Sequence, residues 1–413
     1  MKKRFLLVFV VFLSIIPFII GCNETTDNNT ITVWWPSGKN LQNIMENSIV
    51  KYKESNPNIE IKIIKKAGLD VYDAYKIALN DNNSRPDIAI LDHVYVQALA
   101  KENQLANLSD LGSDNDVRGL VPETVYAANI YNGANYGLPI SANTVVLMYN
   151  KDILEKSGVT YVPKTYDELI DACEQVQNAG YTAFAQPINQ TFVAMEFASY
   201  VGRLGGKMVS DDYRTVLLES QEVKEAINKW VGLSKFASQA EYEEGKFYSG
   251  KIAFIEMGSW NVSKVSGASS LFNCGFTEMV KLDDNHDNYS GLGLYSFVVA
   301  EKSSKKEEAY NFAKYLTTNK EFQLAFAKEK NLLPVTIEAL NDPYYTENEV
   351  LSVFAKQLLK VTSRPGTAIW PTMEKAIVDM LYLCVKATSS DDIDRAIRNA
   401  QEQCQESTDR EYK

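Results

Sequence analysis

The side chains best suited to binding chemistry stand just after two predicted strands. Trp34 and Trp35 close a β-rich run that leads into Lys39, while Asp92 and Tyr95 follow a second run of the same kind. Ligands of open α/β sheets bind at the carboxyl ends of strands. A flat ring beside a carboxylate or ammonium group suits a ligand with flat C–H faces edged by hydroxyls, as in a sugar. These residues are therefore predicted to bind a ligand rather than to break a bond.

Each of these residues also has a purely structural interpretation. Trp34 and Trp35 cannot point the same way from one strand, so one of them is expected in a core. Large aromatic side chains commonly fill cores, and lone charged ones such as Lys39 and Asp92 are mostly solvated. Trp230 is different, because it lies mid-helix on an apolar stripe and is predicted to pack inward.

Motifs for bond-breaking chemistry are incomplete. Residues 245–251 match most of the P-loop spacing, but Ile252 stands where that motif needs Ser or Thr, and a strand is predicted where it needs a helix. The sequence has no Gly-x-Ser-x-Gly elbow and no His-Glu-x-x-His. A glycosidase needs two carboxylates about 5 to 9.5 Å apart, whereas adjacent acids such as Asp211 and Asp212 are expected on the surface. We expect no enzymatic activity, with a secreted glycosidase as the remote alternative.

Composition argues against several partners and cofactors. The formal net charge of −11 disfavours nucleic acid. Only two histidines and no Cys-x-x-Cys pair argue against a metal cluster, so neither a metal nor another cofactor is expected. The widely spaced cysteines leave two possibilities open, disulfides in an oxidising compartment or isolated thiols: Cys173, Cys274, Cys384 and Cys404.

The amino-terminal segment predicts secretion. Lys2, Lys3 and Arg4 precede an apolar run that contains Pro17 and falls short of the roughly 20 residues of a spanning helix. Residues 1–21 are thus predicted to be a signal peptide, with an uncleaved anchor helix as the alternative. Residues 19–22, Ile-Ile-Gly-Cys, resemble a bacterial lipobox, which implies an acyl lipid on Cys22, a tether over residues 22–30 and attachment to the membrane.

Chain length and periodicity predict how these residues are positioned. The chain has 413 residues, and single cores stop growing at roughly 250 to 300, so two lobes are expected. Strand and helix patterns alternate from residue 31, which indicates doubly wound sheets, and the pattern changes at residues 136–139. The predicted class is α/β, with residues 31–140 plus 295–340 in lobe 1 and residues 141–294 plus 341–413 in lobe 2.

Five ordered motifs carry a family resemblance between about Ile31 and about Ala387. The motifs are Tyr136-Gly137-Leu138-Pro139 with the strand to Asp152, Pro163 to Leu169, Gly250 to Trp260, Gly291-Leu292-Gly293, and Leu332-Leu333-Pro334 with Arg364-Pro365 and Trp370. The second motif includes Thr165, which is predicted to cap a helix whose first turn is acidic. Together the five motifs resemble bacterial extracellular solute-binding protein family 1, the maltose-binding-protein-like family.

The resemblance implies a two-lobed, type II periplasmic-binding-protein-like fold. In such a fold, strands cross between the lobes and the lobes close over a ligand. Carried onto this chain, the crossings fall near residues 140–143, 291–295 and 340–344. Trp260 and Trp370 match positions at which family members stack aromatic rings on sugar, with packing in a lobe core as the alternative. The predicted ligand-binding residues are Trp34, Trp35, Lys39, Asp92, Tyr95, Asn143, Trp260, Gly291, Tyr295 and Trp370.

The resemblance also implies a function. It predicts a monomeric, extracytoplasmic binding lipoprotein that delivers a carbohydrate, an oligosaccharide above all, to the permease subunits of an ABC importer driven by a cytoplasmic ATPase. Lys39 and Asn143 depart from the family, since several sugar-binding relatives carry carboxylates there. A charged glycan, a phosphodiester, a polyamine or a peptide therefore stays open as the ligand.

Overall fold

A computed structural model describes residues 29–69, 71–81, 84–186, 192–237, 244–264 and 271–412. The predicted signal peptide and Cys22 lie outside these residues. Within the described ranges, no helix combines the length and the apolar character that crossing a membrane requires.

The larger sheet, built from six strands in the described residues, has the order β2-β1-β3-β11-β12, with β6 also paired to β11. β1 runs parallel to β2 and β3, as the alternating strand and helix patterns predict, whereas β11 runs antiparallel to β3 and β6. The buried positions of β1 and β3 are mainly β-branched or aromatic, which suits strands covered on both faces. The strands of the larger sheet are β1 Thr30–Pro36, β2 Glu60–Lys66, β3 Ile88–Asp92, β6 Leu138–Asn143, β11 Ser290–Val299 and β12 Val361–Ser363.

The smaller sheet has the order β10-β7-β9-β8. Only β8 and β9 pair in parallel there, while β7 is antiparallel to both β9 and β10. We call the two halves lobe 1, on the larger sheet, and lobe 2, on the smaller one. The strands of lobe 2 are β7 Val145–Asn150, β8 Thr182–Ala185, β9 Ile252–Gly258 and β10 Cys274–Thr277; a separate short hairpin pairs β4 Ile130–Tyr131 with β5 Ala134–Asn135.

Helices cover both sheets. Ala309, Phe312 and Leu316 share one buried helical face, as their spacing predicts. The helices are α1 Lys39–Ser55, α2 Tyr72–Ala78, α3 His93–Lys101, α4 Ser113–Asp116, α5 Glu123–Ala127, α6 Lys151–Lys156, α7 Tyr166–Asn178, α8 Phe192–Gly202, α9 Gln221–Ser234, α10 Glu244–Tyr248, α11 Lys306–Thr318, α12 Lys320–Lys330, α13 Ile337–Leu340, α14 Pro343–Thr346, α15 Glu349–Gln357, α16 Trp370–Val385 and α17 Ser390–Glu411.

The chain passes between the sheets where the motifs place two of the expected crossings. β6 continues into β7 through Thr144, and β10 of lobe 2 leads into β11 of lobe 1. The Ser290 hydroxyl ties these crossings together, because it accepts from the Val145 amide at 3.0 Å and donates to the Val145 carbonyl at 2.8 Å. The third expected crossing, at residues 340–344, is wrong as a strand, since α13 ends and α14 begins there; the chain instead passes from β12 to α16 through residues 364–369.

Two open structural questions are settled by packing. Cys173, Cys274, Cys384 and Cys404 are free thiols, and burial raises the pKa of Cys274 to about 12. The inward packing predicted for Trp230 is confirmed, since that side chain is fully buried among Phe197 and Tyr200.

Candidate ligand-binding site

The crossing strands bring several predicted site residues into one register. Tyr295 of β11 lies opposite Asp92 at the end of β3 and opposite Ser141 of β6. Two residues earlier, Gly293 lies opposite Asn143, and a Cβ at Gly293 would collide with the Asn143 side chain. The glycine therefore lets the Asn143 amide lie against the backbone of the crossing strand.

Trp260 is held at the end of β9 by a small apolar cluster. Its ring lies directly over Gly258, where any Cβ would collide with it. Met195 and Val145 pack against the ring, and Phe192 meets it edge to face with centroids 6.3 Å apart. Trp260 is only partly buried, so part of a rigidly placed aromatic face stays accessible for stacking.

Gly291 links Trp260 to the crossing strands. A Cβ at Gly291 would stand 2.8 Å from the carbonyl oxygen of Met195. The same methionine packs against Trp260, so α8 lies close to β11 on one side and to the tryptophan on the other. Asn143, Gly291, Tyr295 and Trp260 thus belong to one region, which we call the hinge site.

Asp92 is bound by an arginine that the predicted site did not include. The Nη2 atom of Arg364 donates to both carboxylate oxygens of Asp92, each at 2.7 Å. Burial by itself would raise the pKa of Asp92, but Arg364 and His93 overcome it and leave the pKa well below its usual range. Nδ1 of the buried His93 lies 2.9 Å from Asp92, poorly aligned for a hydrogen bond, and desolvation lowers the pKa of that histidine. Asp92 is thus a fixed anion at neutral pH.

A cavity of about 500 Å³ opens between the lobes beside Arg364. Lobe 1 contributes Gln97 and the end of α5, lobe 2 contributes the end of α8 and residues 205–213, and β12 with the residues after it forms the wall between them. The Tyr213 hydroxyl of lobe 2 donates to Oε1 of Gln97 at 2.8 Å and closes one rim. The volume lies within the roughly 300 to 1,000 Å³ usual for small-molecule sites.

The predicted site must be corrected at Trp34 and Trp35, because the rings of both residues are buried. Trp35 is fully buried, donates from Nε1 to the Leu41 carbonyl at 3.0 Å and packs on Phe326 of α12. Trp34 points to the opposite face of the same strand and is 5% exposed, with the Lys66 ammonium 3.2 Å from its ring centroid. Both tryptophans are therefore core residues, in different cores, because helices cover both faces of β1.

The remaining predicted residues lie outside the hinge site. Trp370 is 1% exposed at the start of α16, and its ring centroid lies 5.6 Å from the Arg364 guanidinium that it supports. Tyr95 stacks on Tyr72 with centroids 4.0 Å apart. Lys39 is exposed at the start of α1.

The sequence did not single out Arg364, Gln97 and Tyr213, which line the cavity, or Met195, which packs against Trp260. For Arg364 the available signal was a charged residue beside a crossing segment, in the motif Arg364-Pro365. No periodicity marks the other three, since the contact between Gln97 and Tyr213 spans 116 positions.

The residues resembling a P-loop do not form one. α10 ends at Tyr248, and the strand β9 begins at Ile252, where a phosphate-binding motif would begin a helix. In the part of the chain that the structure describes, no group of three or more His, Cys, Asp or Glu side chains could hold a metal ion.

Two sheet-based lobes, joined by crossing strands around a cavity that both lobes line, define a hinged binding protein. The model of the family described as bacterial extracellular solute-binding protein matches residues 47–352, and this chain belongs to that family. A maltotriose-binding protein of Pyrococcus abyssi is 25% identical over 90% of this chain and 81% of its own length. A galactooligosaccharide-binding protein of Bacillus subtilis is 23% identical over 82% of this chain and 80% of its own length.

Solved structures confirm the fold. The sugar-binding protein MalE of Xanthomonas citri superimposes with a TM-score of 0.81 at 18% identity, covering 93% of this chain and 98% of that one. A cyclic α-maltosyl-1,6-maltose-binding protein of Arthrobacter globiformis gives 0.79 at 22% identity, covering 92% and 98%. The predicted two-lobed periplasmic-binding-protein-like fold and the predicted family are both confirmed. The chain is accordingly a binding protein rather than an enzyme, and it works outside the cytoplasm.

Proposed function

We propose that this protein is the solute-binding component of an ABC importer and that its solute is a carbohydrate, an oligosaccharide above all. The observation that carries the proposal is the cavity of about 500 Å³ lined by both lobes and by the segment crossing between them. A ligand there contacts both lobes at once and stabilises the closed form by its differential affinity. Several relatives are named as binding proteins for maltotriose, galactooligosaccharide and maltodextrin, which supports a sugar as the solute.

The hinge site supplies the chemistry that a sugar needs. Trp260 offers a partly accessible ring fixed against Gly258, and Asn143 offers an amide that both donates and accepts. Rings stack on the C–H faces of sugars, while amide and guanidinium groups bind the hydroxyls at the edges. In this proposal, the ligand extends from the cavity to the hinge site, where Asn143, Gly291, Tyr295 and Trp260 bind it. None of these four residues lines the cavity itself.

The import partners and the anchor belong to the same proposal. The closed form delivers the solute to permease subunits coupled to a cytoplasmic ATPase, and the protein acts as a monomer. After removal of residues 1–21, an acyl lipid on Cys22 holds the protein at the extracytoplasmic face of the cell membrane through residues 22–30. The lobes are proposed to comprise residues 31–140 plus 295–340 and residues 141–294 plus 341–413, except that β12, Val361–Ser363, belongs to the sheet of lobe 1.

Titration of the purified protein tests the ligand class. Maltotriose and a galactooligosaccharide are expected to raise its thermal stability, by about 2.7 kcal/mol at 100 times Kd, whereas a polyamine and a peptide are not. Trp260→Ala is expected to remove that gain and leave the ligand-free protein folded, while Tyr382→Ala, at an exposed position on α16, keeps it. If only the polyamine or only the peptide stabilised the protein, the ligand would not be a carbohydrate.

Membrane fractionation tests the anchor. Cys22→Ala is expected to release the protein or leave its precursor unprocessed, because the acyl chains supply the membrane affinity. Cys274→Ala, which alters a free thiol within β10, is the matched control and should fractionate like the unaltered protein. Unchanged fractionation of a Cys22→Ala protein whose residues 1–21 have been removed contradicts lipid anchoring.

A further inference from the structure

Arg364 holds unused hydrogen-bond donors at the wall of the interlobe cavity. Its side chain is 8% exposed and lines the cavity. Among the described residues, the guanidinium donates only to Asp92 and only from Nη2. Nη1 makes no hydrogen bond with them either and, unlike Nε, is not fully buried, so a ligand oxygen can accept a hydrogen bond from it.

Asp92 fixes both the direction and the charge of this group. Two bonds of 2.7 Å to one nitrogen hold the guanidinium plane where the ends of β3 and β12 meet. The carboxylate also compensates the arginine charge. Glu374 of α16 lies near the pair, and burial raises the pKa of its carboxyl more than Arg364 lowers it.

The other charges on the cavity wall are balanced as well. Among the described residues that line it, the charged ones besides Arg364 are Lys207 and Asp211, which pair with each other. The wall therefore combines unpaired donors with no uncompensated positive charge. An anion entering the cavity would lose its hydration without meeting a free cation, whereas a neutral hydroxyl meets a donor at little electrostatic cost.

We propose that Arg364, clamped and neutralised by Asp92, determines specificity by accepting a neutral polyhydroxylated ligand and rejecting its acidic and phosphorylated counterparts. The inference rests on the proposed function and sharpens it, since charged glycans and phosphodiesters are excluded. Arg364 contacts the ligand, and Asp92 is a positioning residue that acts through Arg364.

Calorimetry with a matched pair of probes tests this. The probes are maltotriose and maltotriose oxidised to the uronic acid at its non-reducing end. The unaltered protein is expected to bind the neutral probe at least about tenfold more tightly, since specificity is a difference of affinities. Asp92→Asn leaves Arg364 uncompensated and is expected to narrow or reverse that ratio, whereas Arg364→Gln weakens neutral binding about tenfold without favouring the acid. Asp110→Asn, on the lobe 1 surface, is the control.

The outcomes separate the two proposals. If neither probe binds and no other sugar does, the carbohydrate function fails and this inference fails with it. If maltotriose binds but the acid binds as tightly, or a folded Asp92→Asn keeps the original ratio, only the role of Arg364 is overturned. Should the variants fail to fold, salt titration of the unaltered protein with the acidic probe still decides. Its affinity should not fall as ionic strength rises, and a steep fall would reveal attraction to an uncompensated cation and contradict a neutralised site.

Discussion

Two carboxylates and one guanidinium are buried together in lobe 2, next to the hinge site. Glu196, Glu256 and Arg203 are each at most 2% exposed. Nη2 of Arg203 lies 3.9 Å from Glu256, and Tyr200 donates to the same carboxylate at 3.1 Å. Burial, reinforced by Glu256, raises the pKa of Glu196 well above its ordinary value. Glu196 therefore keeps its proton at pH values where exposed glutamates have lost theirs.

Glu196→Gln is expected to make the stability of the protein less dependent on pH. Because the pKa of Glu196 is raised in the folded state, its contribution is complete below the unfolded-state pKa and is lost as pH rises through the folded-state value. The free energy of unfolding of the unaltered protein should thus decline as pH rises above the unfolded-state pKa of about 4.3, and the variant should lose part of that slope. Glu402→Gln, at an exposed position on α17, is the control, and equal slopes for all three proteins would contradict the prediction.

The helix α7 begins at the position that its residue types predict. Thr165 caps α7, since its hydroxyl accepts from the Glu168 amide at 3.2 Å while the Glu168 carboxylate accepts from the Thr165 amide at 3.3 Å. The cap predicted from residue types is confirmed as a reciprocal capping box. It fixes the start of a helix that buries Leu169 and Cys173 in the core of lobe 2.

Thr165→Ala is expected to lower the free energy of unfolding by about 1 kcal/mol, because the first turn of α7 loses its side-chain acceptor. Denaturant unfolding followed by circular dichroism measures the change. Thr165→Ser keeps the hydroxyl and should stay close to the unaltered protein; an equal loss in both variants would point to the methyl group rather than to the cap.

At the scale of the whole molecule, α3 connects the lobes at a second place. Lys101, near the end of this lobe 1 helix, pairs with Glu411 at 3.1 Å and lies 3.3 Å from the ring centroid of Tyr412, at the end of α17 in lobe 2. None of Lys101, Glu411 and Tyr412 lines the cavity. We therefore expect the contact to act on lobe closure rather than on the ligand itself.

Lys101→Ala is expected to populate a more open form and to weaken ligand binding by about twofold to tenfold, because apparent affinity scales with the closed population. Small-angle scattering should show a larger ligand-free radius of gyration, and titration should show the weaker binding. Lys76→Ala, which removes a salt bridge between α2 and Glu102 within lobe 1, is the matched control. An unchanged radius of gyration together with an unchanged affinity would contradict a role of this contact in lobe closure.

Periodicity was sufficient to predict the alternating elements of lobe 1, because burial on a helix or strand repeats along the chain. It failed where burial depends on distant segments. The apolar spacing over residues 349–362 predicts a single helix, but the helix ends at Gln357, since Val361 to Ser363 pair with β11 instead. The burial of Trp35 and Trp370 likewise depends on helices far away in sequence, whereas Gly291 and Asn143 could be placed because their motif lies on the crossing strand itself.

Gly293 has an evolutionary consequence. Asn143 lies in the space that a Cβ at position 293 would occupy, so the backbone there already makes room for a side chain from the neighbouring strand. As long as the glycine is retained, residue 143 can be exchanged for another polar residue without moving β6 or β11. If Asn143 contacts the solute as proposed, descendants of this protein can acquire new solutes by mutation at position 143, while position 293 is constrained to remain glycine.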